Sequence, residues 1–307
     1  MNNPSFRQLL ETFKLAKLKF TIELQQDTYL PTFTGSSIHG LLGRTLMRYQ
    51  PKLYQYLYKA DGIKSYAVTT YEQHSSFERL HKRGWYWQKG ELFSFEIKLF
   101  GEANLHAHKI IEAISLYGLA YGIGGMTEQQ VKKYKLLSVC STCRDHSQTG
   151  VHAYNLTEHI NPLLLNPSHS TNQITLQLNS RLQIQQHNKV LVKQAPELKK
   201  ILTQIESRLA NLSKLNPNVD TTLRQSVNKI LPLDFSCLAQ PKVIFSQWRR
   251  AKDKNEDELR LDGFMGQLNY QILDNSSTDI IPWLAVGEQL QIGGKTTFGL
   301  GNYTLIC

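Results

Sequence analysis

Residues 14–25, Lys-Leu-Ala-Lys-Leu-Lys-Phe-Thr-Ile-Glu-Leu-Gln, alternate apolar and polar positions, which predicts a strand with one buried face. The period then changes. After Pro31, Ser36 or Ser37 can cap a helix whose apolar positions Ile38, Leu41, Leu42, Leu46 and Tyr49 recur at helical spacing. Strand-like segments follow at 64–71 and 91–100, a helical period occupies 103–121, Gly122-Ile123-Gly124-Gly125 breaks it, and 131–139 reads as a strand. The order βαββαβ is a split unit of the ferredoxin-like type, and it limits the fold to a sheet with two helices on one face.

A polar stretch, 144–170, shows no sustained period and places the domain boundary, with a linker at 146–170 and domains at 1–145 and 171–307. Beyond it a strand at 171–180, a strand near 242–248, another from Gly263 to Ile272, a short apolar segment at 279–286 and a closing strand at 299–306 read as a degraded second copy of the first unit. Pro196 opens an amphipathic stripe, Leu198, Ile201, Leu202, Ile205, Leu209 and Leu212, and a further helix is expected over 220–230. Together these are read as a helical insertion around 195–230.

The last such feature is a glycine loop, Gly293-Gly294-Lys295-Thr296-Thr297-Phe298-Gly299-Leu300-Gly301. Glycine offers backbone N–H groups without a side chain in the way, so the loop suits an anionic ligand; a tight hairpin closing a sheet is the alternative. It is not a Walker loop, because Lys295 lacks the upstream glycine of that motif and a strand, not a helix, follows. Thirty-five Lys and Arg against 25 Asp and Glu leave a net charge of +10, which favours a polyanionic partner. No run is apolar and long enough for a membrane span and no signal peptide is visible, so the expected location is the cytoplasm. Four cysteines form no disulfide framework; Cys140, Cys143 and His146 could hold zinc, or Cys140 and Cys143 are incidental thiols at a strand end.

Phe33-Thr34-Gly35-Ser36-Ser37-Ile38-His39-Gly40-x-x-Gly43, Phe95-Glu96-Ile97-x-Leu99-Phe100-Gly101, Gly122-x-Gly124-Gly125, Gly263-Phe264-x-Gly266 and the terminal glycine loop stand in that order along the chain. In this combination the sequence resembles the RAMP superfamily of CRISPR-associated RNA-binding proteins, and within it the endoribonucleases that cut CRISPR repeat RNA. The resemblance implies an α+β fold of tandem ferredoxin-like, RRM-like domains with a C-terminal glycine-rich loop. It implies metal-independent cleavage of pre-crRNA by the ribose 2′-hydroxyl, giving a 2′,3′-cyclic phosphate and a 5′-hydroxyl, with no cofactor. Repeat RNA or crRNA is the implied partner, alongside other Cas effector subunits and a second copy of the chain. A non-catalytic guide-RNA-holding subunit of an effector complex is the alternative within the same fold.

That reaction needs a group to accept a proton from the nucleophile and one to protonate the leaving oxygen, and histidine titrates in the useful range. Of ten histidines, His39 is the candidate base, because its helix also spends Gly40 and Gly43 at about 1 kcal/mol each relative to alanine, as though something approaches that surface closely. A helix packed tightly on a neighbour is the other reading. Tyr29 is the candidate general acid and Arg44 the candidate charge donor, although Arg44 lies about 140° around an ideal helix from His39. Arg48 is an alternative charge donor. His106 and His108, alternating at a helix start, read as a solvated end. Trp248-Arg249-Arg250 with Lys252 and Lys254, and His81-Lys82-Arg83-Gly84-Trp85-Tyr86-Trp87, combine cations with aromatic surface suited to RNA, or are hairpins with one aromatic face in the core. Gly293, Gly294, Lys295, Gly299 and Gly301 complete the candidate RNA contacts.

Overall fold

The computed structural model describes residues 4–307 apart from 60–61, 71–79, 82–83, 125–130, 145, 169–170, 187–188, 193, 217–218, 220–233, 251–258 and 275. The helix expected over 220–230, Gly125, and the basic residues Lys82, Arg83, Lys252 and Lys254 lie outside the described residues. The chain forms two compact units: Lys14–Tyr154 with Thr297–Gly299, and Met1–Phe13 with Asn155–Thr296 and Leu300–Cys307. This division differs from a single cut within 145–171. A first helix, α1 (Pro4–Thr12), is part of the C-terminal unit, where Phe6 stacks on Trp283 at 4.4 Å and the Phe13 carbonyl accepts from Leu156 N–H.

The N-terminal unit follows the order read from the sequence. Strand β1 (Lys14–Leu24) is followed by a short strand β2 (Thr28–Leu30) and helix α2 (Gly35–Tyr49). Strand β3 (Tyr66–Thr70), β4 (Gly84–Trp87) and β5 (Leu92–Phe100), helix α3 (Ala107–Ala120) and β6 (Tyr134–Cys143) complete it, with β7 (His146–Thr149) added at the edge. The principal sheet runs β7-β6-β1-β5-β3, each pair antiparallel, which is the spatial order of a split βαββαβ unit. The period-2 pattern of β1 puts Leu18, Phe20, Ile22 and Leu24 in the core, with Phe20 stacked on Phe95 at 5.1 Å. Ile38, Leu41, Leu42 and Leu46 of α2 are fully buried in the same core cluster. The expected polar linker begins as β7, hydrogen-bonded to β6.

The C-terminal unit repeats the topology. Strand β8 (Gln173–Leu182) leads to helix α4 (Leu198–Ser213), then β9 (Cys237–Ala239) and β10 (Lys242–Ser246). A two-stranded ribbon of β11 (Arg249–Arg250) and β12 (Leu259–Arg260) precedes β13 (Gly263–Ile272), helix α5 (Ser277–Leu290) and β14 (Tyr303–Ile306). The sheet order is β9-β13-β8-β14, with β10 also on β13. Three corrections follow. Helix α4 is not an insertion: it is the crossover helix between β8 and β9, and its stripe of Ile201, Leu202, Ile205, Leu209 and Leu212 is fully buried. The apolar segment at 279–286 is the middle of α5, which continues through Pro282, and the closing strand starts at Tyr303 rather than 299.

Candidate active site

The N-terminal end of α2 is shaped by what comes against it. A Cβ on Gly35 would lie 2.0 Å from the carbonyl oxygen of Phe298, so only glycine permits this approach of the segment Thr297–Gly299, which is part of the same unit. That segment brings two groups to His39. The Phe298 ring stacks on the imidazole at 3.8 Å between centroids, and the Thr297 carbonyl accepts a hydrogen bond from His39 Nδ1 at 3.1 Å. A carbonyl can only accept, so the proton sits on Nδ1, and in the neutral ring the lone pair is on Nε2. The backbone thus selects the tautomer a base at Nε2 requires.

Two tyrosines that the sequence reading missed complete this cluster. Tyr66 Oη lies 3.0 Å from His39 Nδ1, and Tyr58 Oη donates to the His39 carbonyl at 2.6 Å. Burial raises both phenols well above the usual tyrosine range, and the Arg44 charge only partly opposes this at Tyr58. Both therefore remain neutral hydroxyls that orient the histidine. Tyr58 also explains Gly43, because a Cβ there would sit 3.0 Å from the Tyr58 ring. The close approach signalled by that glycine is the protein's own side chain. Gly40 faces the Arg44 guanidinium, with Nη1 3.2 Å from where a Cβ would be. Arg44 thus lies back along the helix over the residue next to His39, which offsets much of the angular separation, and its Nε donates to Tyr117 Oη at 3.3 Å.

The other candidates are placed as follows. Tyr29 lies on β2, 57% exposed, its ring 5.0 Å from that of Tyr86. Arg48 is exposed and lies over the Tyr121 ring at 4.3 Å. Trp248 is half-buried with its N–H on Asp262, and Arg249 and Arg250 form β11 of the ribbon. In the aromatic segment of the N-terminal unit, Trp87 is buried against Phe93 and belongs to the core, whereas Tyr86 donates to Asp27 at 2.6 Å on the exposed side.

In the glycine loop, what approaches Gly293 and Gly301 is backbone. A Cβ would lie 2.3 Å from the Gln183 carbonyl and 1.8 Å from that of Ile292, and both glycines hold positive φ, +80° and +78°. Gly294 meets the Gln183 side chain, and Gly299 is buried at φ +89° beside Gly35 and Phe33. Lys295 is exposed at the turn with φ +60°. Among the described residues, no group of three or more His, Cys, Asp or Glu is placed to hold a metal ion. No helix among them is long and apolar enough to cross a membrane.

Similarity to known proteins agrees with this architecture. Residues 13–162 match a family model described as an N-terminal domain, and residues 174–303 match that of the CRISPR-associated endoribonuclease Cas6. No curated protein matches the sequence. Among solved structures, a Cas6 product complex superposes with a TM-score of 0.59 at 14% identity over 95% of this chain and 100% of that one. Thermus thermophilus Cas6 gives 0.57 at 14% over 96% and 99%. A partial Cas6-RT-Cas1–Cas2 complex gives 0.61 at 14% over 96% of this chain and 46% of that chain. The fold is α+β, two ferredoxin-like units in tandem, as in these solved structures. The C-terminal residues 174–303 are thus similar to the CRISPR-associated endoribonuclease Cas6 family, and the fold of the chain is similar to that of solved Cas6 structures.

Proposed function

We propose that this protein processes CRISPR repeat RNA, cutting it by metal-independent transesterification with His39 as the base. The observation that carries the reading is the His39 Nδ1 bond to the Thr297 carbonyl, which leaves the lone pair on Nε2. In the step proposed, Nε2 takes the proton of the ribose 2′-hydroxyl, O2′ bonds to phosphorus, and the bond from phosphorus to O5′ breaks. The products are a 2′,3′-cyclic phosphate and a 5′-hydroxyl, the latter protonated by Tyr29 in this reading. Arg44, held beside Gly40, is the charge that balances the phosphorane. Lys295, Arg48, Trp248, Arg249 and Arg250 are the proposed RNA contacts, while Gly293, Gly294, Gly299 and Gly301 give the loop its shape. Repeat RNA and other Cas proteins are the partners this function requires.

The test uses repeat RNA with and without EDTA. Wild-type protein should cut in both, and RNA with a single 2′-deoxy substitution before the scissile phosphate should bind and stay intact. His39→Ala should lower cleavage by roughly 10²–10⁴ with RNA affinity nearly unchanged, because proton transfer is needed only in the transition state. Cleavage of the deoxy substrate would overturn the mechanism. Binding without cleavage by the wild type would instead indicate a guide-RNA-holding subunit.

A further inference from the structure

A cavity in the N-terminal unit is built from residues that the proposed reaction does not use. Its volume is about 490 Å³, within the ~300–1,000 Å³ of small-molecule sites. It opens where α2 ends at Tyr49 and the chain turns through a short helix, Pro51–Tyr54, into a π-helical turn, Gln55–Lys59. Leu53 and Pro51 are its apolar lining, and Tyr56 and His106 meet edge to face, 5.8 Å between ring centroids at 70°, as an aromatic corner. Lys52 and Lys109 complete the lining. Both lysines are exposed, and neither is paired with a carboxylate among the described residues.

An apolar corner between two rings takes a planar aromatic group, and two unpaired ammonium groups at its rim take an anion. One chemical class presents both in a single ligand. We propose that this cavity binds one nucleoside phosphate, with the base against Tyr56 and His106 and the phosphate at Lys52 and Lys109. The Tyr56 hydroxyl is hydrogen-bonded to Ser65 and the phenol is raised by burial, so the wall stays neutral toward the base. Glu102 is the carboxylate close enough to Tyr56 to act on it, and it disfavours a second anion on that side. The RNA source of the ligand rests on the function proposed above: an unstacked nucleotide of the bound repeat, outside the scissile position. A free mononucleotide would satisfy the same chemistry.

The experiment uses the full chain with two probes. AMP and UMP, with inorganic phosphate as control, are titrated by calorimetry into wild-type protein and into Lys52→Ala/Lys109→Ala, whose changes lie at exposed positions and leave the fold intact. Repeat RNA is then measured for affinity across salt concentrations and for single-turnover cleavage at saturation. With the RNA as source, the double variant should bind repeat RNA about tenfold or more weakly, with a log–log salt slope lower by about two, while cleavage at saturation stays at the wild-type rate. Tyr56→Leu should weaken RNA binding about 5- to 150-fold, the range for loss of one base-stacking contact, with no change in salt slope. A free mononucleotide as the source gives saturable AMP or UMP binding that the double variant abolishes, with RNA affinity unchanged. The proposal is overturned if the variants leave both RNA and mononucleotide binding at wild-type levels, or if inorganic phosphate binds as tightly as AMP and UMP. Because the mononucleotide titration does not depend on cleavage, an inactive wild type would refute the function above and leave this site to be judged by calorimetry.

Discussion

Replacing Gly35 with alanine tests how His39 is held. The backbone at Gly35 is not in the left-handed region, so alanine brings no conformational penalty there and the whole effect is collision. The new Cβ would lie 2.0 Å from the Phe298 oxygen and 2.8 Å from the Phe33 ring. Ordinary contact between such atoms needs about 3.5 Å, so the segment 297–299 must retreat by more than about 1 Å. The 3.1 Å bond from His39 Nδ1 to Thr297 does not survive such a movement. A misplacement of that size at a reacting group lowers rate by roughly 10², and overpacking costs about 1–3 kcal/mol, or a Tm lower by about 2–4 °C for each kcal/mol. Single-turnover cleavage of repeat RNA and calorimetric melting measure the two effects. Gly40→Ala is the comparison: its Cβ meets only the mobile end of Arg44, and the gain in helix propensity of about 1 kcal/mol should raise Tm. Phe298→Ala removes the stack on His39 without any collision and should slow cleavage roughly 2- to 12-fold, the worth of one aromatic pair. Wild-type rates in both Gly35→Ala and Phe298→Ala would refute the argument that this segment orients His39 for the proposed reaction.

Three further outcomes follow from the same structure. Gly301→Ala places a Cβ 1.8 Å from the Ile292 carbonyl at φ +78° and should lower Tm, whereas Lys295→Ala should leave melting unchanged and reduce the salt slope of RNA binding by about one. Tyr66→Phe keeps the buried ring but deletes the hydroxyl beside His39 Nδ1; a pH–rate profile with altered shape and an unchanged melting curve is expected, and an unchanged profile would make Tyr66 a packing residue only. Tyr58, Tyr66, Tyr134, Tyr270 and Tyr303 all have phenols raised by burial above the unfolded value near 10. The folded state therefore retains protons that the unfolded chain releases, so this stability is complete below pH about 10 and declines as pH rises further, by about 1.4 kcal/mol per pH unit for each tyrosine. Urea midpoints at pH 8, 10 and 11 measure it, and a midpoint unchanged to pH 11 would contradict the burial of these groups.

What the sequence disclosed depended on how local each signal was. Strand β1 announced itself because Leu18, Phe20, Ile22 and Leu24 alternate within seven residues and all point into one core. Helix α4 carried an equally clear stripe, yet its place as a crossover depends on β9 and β10 pairing with β13, which no local period encodes. Helix α1 was missed: Phe6, Leu9 and Leu10 have helical spacing over only nine residues, and Phe6 meets its partner Trp283 far along the chain. The site divides in the same way. His39 stood out because the glycines around it are costly in a helix, and that cost is local. Thr297 and Phe298 were present in the loop sequence but silent, since a backbone carbonyl leaves no mark on residue type and the His39 contact spans 258 positions. Gly35 was the available clue: a glycine at the start of a helix, where nothing in the turn requires one, implies that another backbone lies against it. The same reasoning applied to Gly301 gives Ile292, so the glycines of the terminal loop record approaches within the protein, and its one exposed cation, Lys295, is what remains for a phosphate.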